Sequence, residues 1–145
     1  MWEEYYEGND NLYLMAIGKI AEAGEGCACS MGLLTKLFLD NLKEIENELI
    51  IIDTEAGIEH FGRGVDQCVD IIFMVIDPSY ESIHLSQKIY EMGSNIGKPV
   101  YFILNKMDED TKRIVQDILT NKEAIIAYIP MDMEIFSSGL KGVVL

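Results

Sequence analysis

A chain of 145 residues in which 49% are hydrophobic can bury a core, which excludes a disordered polyelectrolyte. Its 25 acidic and 11 basic side chains give a formal charge of −14, a field that repels phosphate backbones and excludes bulk nucleic-acid binding. One nucleotide held by backbone amides and a cation remains compatible with that charge. The longest apolar run, Ile71 to Ile76, falls far short of the roughly 18 residues of a membrane span, so no membrane association is expected. The first residues, Met-Trp-Glu-Glu-Tyr-Tyr-Glu, are acidic and do not read as a secretory leader. Three cysteines without a paired framework suit a reduced compartment, and the expected location is the cytoplasm.

Taken along the chain, residues 1–11 read as an N-terminal tail and 12–145 as a single α/β domain. Leu12 to Ile17 is a short apolar run ending at Gly18. Met31 to Glu46 carries Leu33, Leu34, Leu37, Phe38, Leu42 and Ile45 at helical spacing. Leu49 to Ile52 ends in Asp53, Val69 to Ile76 ends in Asp77-Pro78, and Val100 to Leu104 ends in Asn105-Lys106. Helical patterns occupy Ser79 to Met92, with Ser79 or Ser82 as N-cap, and Asp110 to Asn121. A fifth run, Ala124 to Ile129, stops at Pro130. The five runs are rich in Ile, Val and aromatics, and the central ones do not alternate with polar residues. That is how strands covered on both faces read. The expected fold class is α/β, with a mostly parallel sheet and helices on both faces.

Ligands of open α/β sheets sit outside the carboxyl ends of the strands. Polar groups cluster at those ends here: Asp53-Thr54-Glu55-Ala56-Gly57, Asp77-Pro78, Asn105-Lys106-Met107-Asp108 and Pro130-Met131-Asp132. A carboxylate at the position of Asp53 either holds Mg²⁺, directly or through water, or caps the strand and starts a turn. Gly57 would let a backbone N–H approach a phosphate. Asn105 offers a donor and an acceptor to a base edge, and the Lys106 methylenes can cover a ring; the alternative is a solvated loop. Cys27 and Cys29 lie in a glycine-flanked C-x-C. They are either small residues of a tight turn or half of a tetrahedral thiolate site completed by a second chain. Cys68 reads as core. His60, in the irregular stretch Glu55 to Gln67, reads as a loop histidine with a structural hydrogen bond, with catalysis or ligation as the alternative.

The run Asp53-Thr54-Glu55-Ala56-Gly57-Ile58-Glu59-His60-Phe61-Gly62-Arg63-Gly64 resembles the carbon monoxide dehydrogenase accessory ATPases of the CooC type. The Cys27-x-Cys29 pair, Asp77-Pro78-Ser79-Tyr80-Glu81-Ser82 and Asn105-Lys106 share in that resemblance. That group lies within the MinD/ParA and nitrogenase iron protein ATPases, and the likeness runs from about Leu12 onward. It implies a partial P-loop NTPase fold of the SIMIBI kind, with ATP or ADP and Mg²⁺ bound between the subunits of a homodimer. Asp53 would be the catalytic acid on the Mg²⁺ side and Gly57 would lie by the terminal phosphate. Asn105 and Lys106 would meet adenine, and the segment after Pro130 would close over it. Cys27 and Cys29 would bind zinc or nickel at the dimer interface. ATP-driven changes of the dimer would serve nickel insertion into carbon monoxide dehydrogenase or a related metalloenzyme.

Members of that family carry a first strand and a K-G-G-x-G-K-T loop that hold the phosphates. No G-K-[ST] occurs in these 145 residues. The sequence therefore suggests a truncated or split form, whose P-loop comes from a partner chain, and which does not hydrolyse ATP alone. The alternative is a catalytically inactive metal- or partner-binding dimerisation module. A GTPase-like switch built on Asp53 and N-K-x-D fares worst, because nothing here cradles phosphates.

Overall fold

The computed structural model describes residues 6–9, 12–15, 28–41, 49–54, 58, 61 and 64–143. They fall into two compact units, one drawn from residues up to Cys68 and the other from Val69 onward together with Ile58.

In the first unit, β1 (Tyr6–Asn9) and β2 (Leu12–Met15) form an antiparallel ladder, with Tyr6 opposite Met15 and Asn9 opposite Leu12. The sequence reading puts Leu12 to Ile17 in a parallel sheet, and its Leu12–Met15 part instead pairs with the segment read as a tail. Two short strands adjacent in sequence pair locally, because little loop entropy is lost in bringing them together. Helix α1 spans Ala28–Asn41, inside and just ahead of the predicted Met31 to Glu46 helix, whose last residues lie outside the described ones. It packs against a 3-10 turn at Val65–Cys68. There the Cys68 thiol donates to Asp40 Oδ1 at 3.2 Å and is half-buried; burial and the neighbouring Asp40 carboxylate push its pKa up. Leu49 to Ile52 is not a strand: it has no ladder partner among the described residues, and Leu49 and Ile51 are more than four-fifths exposed. Apolar composition alone does not make a strand without an edge to pair with.

The second unit repeats strand and helix in strict alternation. It runs β3 (Ile72–Ile76), α2 (Tyr80–Asn95), β4 (Val100–Met107), α3 (Glu109–Ile118), a 3-10 turn (Lys122–Ala124), β5 (Ile125–Pro130) and α4 (Met133–Lys141). The three strands form a parallel sheet in the order β3-β4-β5, which is the expected α/β class. Helices start where the side chains dictate. Ser79 accepts from Ser82 N, Asp108 from Thr111 N, and Asp132 from Glu134 N and Ile135 N, each satisfying a free N–H of a first turn.

The core lies on the helix-covered side of this sheet. Ile76, Phe102 and Leu104 are fully enclosed, with Val100, Val115, Leu119, Ile83 and Ile89 around them. Gly93 lets α2 come down onto the sheet, since a Cβ there would lie 2.3 Å from Val100 Cγ2. Burial alternates along β3, where Phe73 and Val75 are exposed, and along the first half of β4, where Tyr101 is exposed. Both faces are apolar in sequence, yet among the described residues of this unit only one is fully covered. The expectation of two covered faces therefore holds here for the α2 and α3 side. No helix among the described residues is long and apolar enough to cross a membrane.

Candidate functional site

Three parallel strands, continuous in register between β3 and β4 and shifted at two points between β4 and β5, bring their carboxyl ends to one edge of the second unit. Strand β3 ends at Ile76 and hands over to Asp77; β4 runs on through Asn105 and Lys106 to Met107; β5 ends at Pro130 opposite Met107. Met131 N then donates to Met107 O at 3.3 Å, tying the segment after Pro130 to the end of β4. The structure thus gathers Asp77, Asn105, Lys106 and Pro130 at one strand edge, as the order of motifs predicts.

Asp77 is the hub of this edge. Asn105 Nδ2 donates to Asp77 Oδ1 at 2.9 Å, and Lys106 Nζ meets Asp77 Oδ2 at 2.5 Å. Asp77 N in turn donates to Ser82 Oγ at 3.1 Å, which anchors the turn to the first turn of α2. The Lys106 ammonium holds the Asp77 carboxyl below the usual carboxylate range, with the Asn105 amide helping and partial burial opposing. A depressed pKa adds stability above the ordinary carboxylate range, and that stability is lost as pH falls through the native value. The pair is nearly half exposed, so solvent screens it and its share of fold stability is small.

Lys106 has φ +58, the left-handed region that non-glycine residues seldom occupy. Strain of this kind, about 1–3 kcal/mol, persists where the surroundings over-determine it, and such residues cluster at functional sites. The Asp of N-K-x-D caps α3: Asp108 Oδ1 accepts from Thr111 N at 2.7 Å, and the Thr111 hydroxyl, followed by that backbone N–H, lowers its pKa. One oxygen of this exposed carboxylate is thus engaged in the helix cap.

The remaining predicted site residues belong to other parts of the chain. Asp53 is an exposed residue of the first unit. Cys29 lies in the first turn of α1, while Cys27, Gly57 and His60 lie outside the described residues. Among the described residues no group of three or more His, Cys, Asp or Glu could hold a metal ion. His84 stacks on Tyr80 at the start of α2, on the rim of an apolar groove of about 400 Å³ between α2 and α3. Sequence reasoning noted Asp77 at a strand end but assigned it no role. The available signal was an acid one strand away from an Asn-Lys pair at the same sheet edge.

Known proteins add the following. No family model matches the chain. It is 54% identical over 140 residues to an uncharacterized ATP-binding protein of Methanocaldococcus jannaschii, an alignment covering 97% of this chain and 56% of that protein. A second uncharacterized ATP-binding protein of the same organism is 33% identical over 135 residues, or 91% of this chain and 52% of the relative. The carbon monoxide dehydrogenase accessory protein CooC of Rhodospirillum rubrum is 33% identical over 106 residues, or 72% of this chain and 40% of that protein. The chain spans about half the length of the curated relatives it matches. These likenesses support kinship with CooC-like ATPases and, through the relatives' descriptions, nucleotide binding.

Proposed function

From that kinship we propose that this chain is the base-reading and metal-holding part of a CooC-like, ATP-dependent accessory protein that serves carbon monoxide dehydrogenase or a related metalloenzyme. The observation that carries the reading is the Asp77–Asn105–Lys106 constellation at the carboxyl edge of a parallel sheet. Ligands of such sheets bind at that edge. Strain held in a lysine beside a polar amide suits recognition better than mere chain reversal.

The donor set fits an adenine nucleotide. Because an ionised carboxylate only accepts, the Asn105 amide must turn its nitrogen to Asp77, and no other bond of that side chain occurs among the described residues. Its oxygen is left to accept from the exocyclic amine of adenine. The Lys106 stem lies next to it, and the residues after Pro130 are tied to the same strand end, where they can close over the ring. Bound Mg·ATP would supply the phosphoryl group whose transfer to water drives the cycle. Asp53 would stand on the Mg²⁺ side and Gly57 beside the terminal phosphate, while a K-G-G-x-G-K-T loop outside these 145 residues, from the same polypeptide or a partner chain, would cradle the phosphates. Two chains would each contribute Cys27 and Cys29 to one zinc or nickel ion in a homodimer.

Truncating Asn105 tests the nucleotide part. Asn105→Ala should weaken the response of the chain to Mg·ATP by roughly tenfold or more, as expected when a base edge loses its protein partner. Titration of the native and Asn105→Ala chains, followed by amide NMR signals, measures this. Equal responses would remove Asn105 from the site.

A further inference from the structure

Resting on the nucleotide reading above, we infer that Asp77 is the residue that makes this site choose adenine over guanine, by locking the Asn105 amide in one of its two orientations. The side chain of an asparagine is nearly symmetric in shape and opposite in polarity at its two ends. A free amide rotates by half a turn at small cost and so presents an oxygen or an NH₂ group to a ligand equally well.

Asp77 removes that freedom. Its Oδ1 lies 2.9 Å from Asn105 Nδ2, and the flipped amide would set oxygen against a carboxylate. Lys106 is bound to the other carboxylate oxygen, but a carboxylate is ionised at neutral pH without that help. The bond from Asp77 N to Ser82 Oγ fixes its backbone. With the amide locked, Asn105 offers an acceptor oxygen and one remaining N–H. Adenine presents the complement, an N6 donor and an N7 acceptor. Guanine in the same ring pose presents the O6 acceptor where adenine has its donor, so two oxygens would face each other.

Discrimination therefore lies in a carboxylate that need not touch the base. Asp77 is a positioning residue, and its removal affects the choice between bases more than the fold. Its own ion pair is half exposed and contributes little to stability.

The experiment titrates the isotope-labelled native chain, Asp77→Asn and Lys106→Met with Mg·ATP and with Mg·GTP, following amide signals. The native chain should respond to ATP at roughly tenfold lower concentration than to GTP, the ratio that about one net hydrogen bond supplies. Asp77→Asn, whose amide supports either orientation of Asn105, should bring the two nucleotides within about twofold of each other. Lys106→Met should weaken both alike and keep the preference, a split that a general loosening of the fold would not produce. A second readout uses the native chain without nucleotide and stands even where a variant fails to fold. One of the two Asn105 side-chain amide protons should be shifted downfield and exchange with solvent more slowly than the other.

Retention of the ATP preference by Asp77→Asn would overturn the inference and leave the nucleotide reading intact. An Asn105 amide pair at the ordinary free-amide positions, both protons exchanging fast, would overturn it in the same way. No response of the native chain to either nucleotide up to about 10 mM, the weak range left to a base site without its phosphate loop, would overturn both.

Discussion

Phe102→Ala is expected to destabilise the second unit by about 3–5 kcal/mol, the range measured when a large aromatic is cut back inside a closed core. Phe102 is fully enclosed at the middle of β4, the central strand of the sheet. It faces α2, where Tyr90 packs with ring centroids 5.8 Å apart. Its removal takes away the transfer energy of the ring and leaves a space that the surrounding chains cannot close. On one side stands the sheet, where β3 and β4 pair in continuous register through Phe102. On the other, α2 already lies so close at Gly93 that a single added methyl would clash with Val100. Because the stability of a small domain is about 5–15 kcal/mol, the loss is a large part of the whole. Denaturant unfolding measures it. The control is Phe73→Ala on the exposed face of β3, where a change under about 1 kcal/mol is expected. Comparable losses at both positions would contradict the placement of the core.

The second large effect is expected at the C-x-C. If two chains share one metal through Cys27 and Cys29, the native protein should carry about one divalent ion per two chains, since a tetrahedral thiolate site takes four ligands. Replacing both by serine in Cys27→Ser, Cys29→Ser should abolish it, because a serine hydroxyl is neither soft nor deprotonated near neutral pH. Structural zinc sites contribute binding energies of about 10–16 kcal/mol, so the dimer should dissociate with the metal. Elemental analysis read beside sedimentation velocity measures both. Unchanged metal content in the double variant would remove the shared-site proposal.

The alternating half of the molecule was legible because parallel strands and amphipathic helices impose opposite periodicities. Val100 onward reads as a buried run, Ser79 and Asp108 read as caps, and each falls where its hydrogen bond requires. The gathering of Asp77, Asn105 and Pro130 was legible for the same reason: parallel strands of one sheet share a carboxyl edge. Other features were hidden. Tyr6–Asn9 carries no strand signature, and its pairing with Leu12–Met15 follows from proximity rather than composition. Leu49 to Ile52 has the composition of a strand but no partner among the described residues. The exposed alternation of Phe73 and Val75 is invisible in a run apolar on both sides. The role of Asp77 depends on a contact across 28 residues of sequence, and neither spacing nor propensity reports it.

Where an adenine nucleotide touches this chain decides whether the Asp77–Asn105–Lys106 edge is the base site. Titrating the isotope-labelled protein with Mg·ATP and mapping every amide shift tests this directly. The largest shifts are expected on Asp77, Asn105, Lys106 and the residues just after Pro130. Shifts confined to the apolar groove between α2 and α3, or no shift at all up to about 10 mM nucleotide, would contradict that reading.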